Sequence, residues 1–110
     1  MSTPQEQFRQ FLESQRADYR RALPARLQQL QALWTAIDAG GAPPPLGELE
    51  RLAHTLAGTA GTFGLREVGQ AARALEALLA QAGEGGGPLT PGQRAEISRA
   101  VAALQDSPRD

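Results

Sequence analysis

The sequence has no cysteine. That excludes disulfides and every metal site built on thiolates. It has no lysine either: all eleven basic residues are arginine, against twelve acidic ones, for a net charge of −1. The arginines lie scattered among Glu and Asp rather than gathered on one stripe, so no nucleic-acid footprint is present. A single histidine, His54, rules out histidine-rich metal sites. No apolar run approaches the roughly 18 residues of a membrane span. The segment Met1-Ser2-Thr3-Pro4-Gln5-Glu6 has neither a basic region nor an apolar core, so no signal peptide is expected there. These absences point to a cytoplasmic protein that meets neither nucleic acid nor membrane. Aromatic and β-branched residues are few. What fills the sequence is alanine and leucine, a composition that favours helix over strand.

The 110 residues suffice for one domain with one core. Thr3-Pro4-Gln5-Glu6 reads as a capping box with proline at the first helical position. Phe8, Phe11, Leu12, Tyr19 and Leu23 follow at helical spacing until Pro24, which is expected to interrupt or kink the helix. Leu27, Leu30, Leu33, Trp34 and Ile37 continue the pattern up to the stiff loop Gly40-Gly41-Ala42-Pro43-Pro44-Pro45. A further helix is expected from about Leu46 to Phe63, stopped by Gly64 in a left-handed conformation. The next runs from about Leu65 to Ala82 with Val68, Ala72, Leu75 and Leu79 as its stripe. After the linker Gly83-Glu84-Gly85-Gly86-Gly87-Pro88, a second capping box at Thr90-Pro91-Gly92-Gln93 opens the last helix, striped by Ile97, Val101 and Leu104. The reading is all-α: an antiparallel four-helix bundle with an additional N-terminal helix or cap. Its single domain spans 1–110, with an N-terminal helix over about 4–22, a bundle core over about 24–105 and a frayed tail over 106–110.

The direction of His54 follows from helical arithmetic. With about 100° of rotation per residue and His54 at zero, Leu52, Phe63, Leu56 and Leu49 fall at about 160–220° and Ala60 and Ala53 at about 240–260°, so the stripe centres near 200° and His54, almost opposite it, faces solvent. On the same count Gly58 falls at about 40° and Gly61 at about 340°, flanking His54 on the exposed face. Each mid-helix glycine costs about 1 kcal/mol relative to alanine. In so alanine-rich a chain, the pair reads as a patch cleared for another protein to approach the imidazole. The bland alternatives are an ordinary surface histidine, and a Gly61 that merely helps Gly64 end the helix. An imidazole titrates near neutral pH, and its neutral form is a nucleophile able to accept a phosphoryl group on nitrogen.

The run Ala53-His54-Thr55-Leu56-Ala57-Gly58-Thr59-Ala60-Gly61-Thr62-Phe63-Gly64-Leu65 resembles the core motif of histidine-phosphotransfer (HPt) domains. The version at the N-terminus of chemotaxis histidine kinases is the most similar. Ala72-Arg73-Ala74-Leu75-Glu76 resembles the next element of that motif, and Leu23-Pro24-Ala25-Arg26-Leu27 resembles a helix junction common in the family. The resemblance implies a phosphorelay in which His54 takes a phosphoryl group from the aspartate of one response-regulator receiver domain and gives it to another. A cognate histidine kinase would stand upstream, and Mg²⁺ would sit on the receiver, leaving this chain without a cofactor or an ATP site. It also implies that Glu76 hydrogen-bonds the imidazole, which fixes the tautomer and leaves Nε2 as acceptor. Ala57 departs from the pattern: the family usually places a lysine there to help hold the phosphoryl group. The candidates to compensate are Arg51, at about 60° on the same helix, and Arg73. Three other readings compete. One is a degenerate module that binds receivers without transfer. Another is the N-terminal domain of a larger chemotaxis-type kinase. The third, a small helical hydrolase, finds no nucleophile with paired acids on one face.

Overall fold

The computed structural model describes residues 1–40 and 46–109. The expected proline loop at 41–45 and Asp110 lie outside those residues. Four helices follow one another: α1 Pro4–Asp38, α2 Leu46–Thr62, α3 Arg66–Glu84 and α4 Pro91–Gln105. Each packs on its neighbour in sequence, and α4 closes back onto α1. The arrangement is the antiparallel bundle that the apolar stripes imply.

Cross-links between helices fix the directions. Along α1 and α4, Asp38 takes Arg94 Nη1 on its carbonyl and on Oδ1, both at 2.9 Å. Trp34 Nε1 donates to Ser98 Oγ at 3.2 Å, and Gln105 Nε2 donates to the Leu27 carbonyl at 2.8 Å. Each step back along α1 is matched by an equal step forward along α4, so the two run antiparallel in a single register. The core between the helices contains Leu23, Leu27, Leu30, Leu49, Leu65, Leu75, Leu79, Ile97 and Leu104, all essentially sealed from solvent.

The helix ends are made as the sequence indicates. Thr90 and Gln93 form the expected reciprocal capping box, whereas at Thr3 only half of one is made: its hydroxyl accepts from Glu6 N. Gly64 adopts φ +79°, and the Leu65 N–H reaches the Ala60 carbonyl at 2.8 Å while the Gly64 N–H reaches that of Gly61. This pair of bonds is the Schellman stop, and it needs a left-handed residue only at Gly64. Two boundaries differ. The linker begins later than expected, because α3 runs through Gly83 to Glu84. The tail is held as far as Ser107, which is buried and donates to the Leu104 carbonyl at 2.7 Å.

The larger correction concerns Pro24. The expected separate N-terminal helix is the first part of one 35-residue helix that continues through Pro24. A proline inside a helix costs about 3 kcal/mol through a lost hydrogen bond and a ring clash. Burying each leucine contributes about 1.5–3 kcal/mol. Leu23, Leu27 and Leu30 sit in the core on one face of this helix, so their burial outweighs the proline. Pro24 itself is exposed. Pro24→Ala is therefore expected to raise stability by about 1–3 kcal/mol, read as a higher midpoint in urea or thermal unfolding. An unchanged or lowered midpoint would contradict this account.

N-terminal to Tyr19 every residue of α1 is exposed except the half-buried Gln15. Phe8 and Phe11 are 62% and 56% exposed, and the molecule is 61 Å long by 22 and 21 Å across. Tyr19 is the first residue anchored to the bundle. Its ring stacks on Phe63 with centroids 5.0 Å apart, and its hydroxyl lies 2.8 Å from Thr59 Oγ1. Thr59 Oγ1 donates its own proton to the Thr55 carbonyl at 2.9 Å, so it is the Tyr19 hydroxyl that donates to Thr59.

Candidate functional site

His54 lies in the middle of α2 with its side chain 73% exposed. The buried residues of that helix are Leu49, Ala53, Leu56, Ala57 and Ala60, whereas Leu52 and Phe63 are only partly covered. The buried face is thus turned toward the alanines, by about 45° from the direction that the large side chains alone indicate. His54 stands beside the α2–α3 seam rather than diametrically opposite the core. The physical reason is Ala57, 3% exposed, which the approach of α3 covers. A stripe centred on its large side chains leaves out Ala57, at about 300°, whose methyl group is buried only by close helix contact.

That position at the seam gives the imidazole its partner. His54 Nδ1 is 2.5 Å from Glu76 Oε2, an exposed ring against a carboxylate only 25% exposed. Glu76 lies on α3 one residue after the fully buried Leu75 and is itself half-buried, at the edge of the buried face beside His54. With a carboxylate as acceptor, Nδ1 carries the proton and donates it. The neutral ring then has its lone pair on Nε2, on the side away from Glu76.

Gly58 and Gly61 are both exposed. A Cβ added at either would meet nothing within 4 Å. No contact inside the molecule requires a glycine at these positions, and the helix stop uses only the Gly61 carbonyl, which any residue supplies. On the C-terminal side of the imidazole the two glycines leave the helix surface without side chains, and Thr62 Oγ1 donates back to the Gly58 carbonyl at 2.9 Å.

Arg51 and Arg73 are exposed, one turn before His54 on α2 and one turn before Glu76 on α3. Among the described residues neither forms an ion pair or a side-chain hydrogen bond, so each guanidinium is held only by its own stem. The structure thus brings Glu76 to His54, and leaves the two arginines on the same side of the bundle without fixing them there. Ala57 offers no charge, and its place at the seam is occupied by packing against α3. Two residues outside the expected site also shape it. Thr59 ties α2 to Tyr19, and Gly69 lies against the α2 backbone; the legible sign of the latter was a glycine in mid-helix, two turns before Glu76.

No helix among the described residues is long and apolar enough to cross a membrane. A family model described as the Hpt domain matches residues 6–107. No curated protein and no solved structure matches the chain.

Proposed function

Because the chain belongs to the Hpt domain family, whose members carry histidine phosphotransfer in phosphorelays, we propose that His54 is the residue that carries the phosphoryl group. The observation that supports this most is the pairing of an exposed imidazole with Glu76 through Nδ1. Nε2 attacks the phosphorus of a receiver's aspartyl phosphate. The P–Nε2 bond forms as the P–O bond to the aspartate breaks, and the carboxylate leaves. The imidazole becomes cationic, and the Glu76 carboxylate at Nδ1–H stabilises that charge. Attack by the aspartate of a second receiver reverses these bond changes and returns His54 to its neutral state.

In this reading Mg²⁺ and the groups that neutralise the phosphoryl oxygens come from the receiver, while this chain supplies the nucleophile, its orientation and open access. It is a carrier without an ATP site, it works in the cytoplasm, and its partners are receiver domains and a histidine kinase. The bare surface at Gly58 and Gly61 is where a receiver's backbone meets the site. Arg51 and Arg73 each lie within one helical turn of a site residue, and either can swing to the phosphoryl group to replace the charge that Ala57 lacks.

One observation favours a second reading. With alanine at position 57, no fixed cation stands beside His54, as befits a module that binds receivers without accepting phosphate. Incubating the protein with phosphorylated receiver domains distinguishes the two. Transfer predicts acid-labile phosphate on this chain within the lifetime of the donor. Binding without any acid-labile phosphate would establish the second reading.

A further inference from the structure

Gly58, Gly61 and Gly69 all lie inside helices, but only Gly69 is buried. A Cβ built at Gly69 would stand 3.4 Å from Gly61 N, 3.5 Å from the Ala57 carbonyl oxygen and 3.8 Å from Ala60 Cβ. Two of these three neighbours are backbone atoms, which a rotamer change cannot move aside. At this point α3 rests directly on the main chain of α2.

Gly69 and the His54–Glu76 contact belong to the same seam. Gly61 follows His54 by seven residues on α2, and Gly69 precedes Glu76 by seven on α3. Seven residues are two turns, about 10.5 Å along the axis with only about 20° of rotation. In an antiparallel pair the same two stripes therefore meet twice, Gly69 against Gly61 at one level and Glu76 against His54 at the other. The thickness of whatever stands at position 69 sets how closely the helices approach, and hence how far the Glu76 carboxylate must reach.

We propose that Gly69 is a positioning residue: its missing side chain sets the α2–α3 spacing at which Glu76 holds His54 in the Nδ1–H form with Nε2 free. The contacts set the size limit. A single methyl group at 3.4 Å is at ordinary van der Waals distance, whereas any γ-carbon must push the helices apart. The helix-weakening effect of glycine is retained here for spacing, in contrast to Gly58 and Gly61, where an added Cβ would meet nothing within 4 Å. The consequence for transfer rests on the reading of His54 as acceptor. The consequence for the imidazole does not.

The test is the ¹⁵N NMR pattern of the single histidine in the free 110-residue chain, recorded at alkaline pH. The wild type and Gly69→Ala are expected to show the Nδ1–H tautomer. Gly69→Leu is expected to show the mixture of an unrestrained imidazole, in which Nε2–H predominates, as does the reference variant Glu76→Ala. Phosphoryl transfer to Gly69→Leu is expected to slow by roughly tenfold or more, the scale of a misplaced reacting group. Cooperative unfolding verifies that the variant is folded, and Gly69→Val takes its place if leucine prevents folding. A folded Gly69→Leu or Gly69→Val that keeps the wild-type ring pattern overturns the positioning role. If the ring pattern follows the bulk at position 69 while the wild type accepts no phosphate, the positioning role stands and the transfer reading fails.

Discussion

His54→Gln takes up no phosphate from any phosphorylated receiver, yet keeps its fold. Both halves of this expected result follow from the site. The sequence contains no other histidine and no cysteine, so no second imidazole or thiolate can accept the group in its place. The side chain is 73% exposed and its partner is Glu76. Glu76 retains access to water after the substitution, so the stability change is expected to stay within about 1 kcal/mol. Phosphate labelling followed by acid treatment reads the first half, and thermal unfolding the second. Wild-type levels of acid-labile phosphate on this variant would remove His54 from the mechanism.

Gly58→Arg separates stability from function in the opposite sense. The position is exposed one turn after His54 and an added Cβ meets nothing within 4 Å, so an arginine side chain fits without moving the bundle. Arginine is also the better helix former, by about 0.5–1 kcal/mol. The variant is expected to melt at a slightly higher temperature and to accept phosphate at least roughly a hundredfold more slowly, because a long side chain occupies the space the receiver's backbone needs for in-line approach. Gly58→Ala, which adds one methyl group, is expected to fall between the two. Rate measurements against the same phosphorylated receiver, with melting curves alongside, check both claims. Transfer at the wild-type rate by a stable Gly58→Arg would mean that the partner approaches from elsewhere.

Much of this architecture was legible in the sequence because local chemistry writes it. Thr3 and Thr90 mark helix starts through their capping bonds, and Gly64 marks a stop through its positive φ. The exposure of His54 followed from the helical period of about 3.6 residues. The misreadings share one cause: tertiary packing overrode a local signal. Pro24 is a breaker by itself, and α1 passes through it because leucines on either side are buried in the core. Ala57, at about 300° from His54, falls outside the apolar stripe of its helix, and it is buried because a glycine on another helix lets that helix come close. The Glu76 contact lay in the register between α2 and α3. No pattern within one helix encodes that register: the helical period puts Glu76 at the edge of its apolar stripe, within reach of a neighbouring helix, and the family resemblance supplied His54 as its partner.

The distance from Glu76 to Nδ1 makes a claim about one atom, since it leaves Nε2 as the only lone pair available for phosphorus. The most direct test is therefore to load the wild-type protein from a phosphorylated receiver and locate the phosphate by ³¹P and ¹⁵N NMR. The account predicts a single phosphohistidine, at His54, with the P–N bond on Nε2 and Nδ1 still protonated. Phosphate on Nδ1, on any other residue, or nowhere on the chain would contradict it.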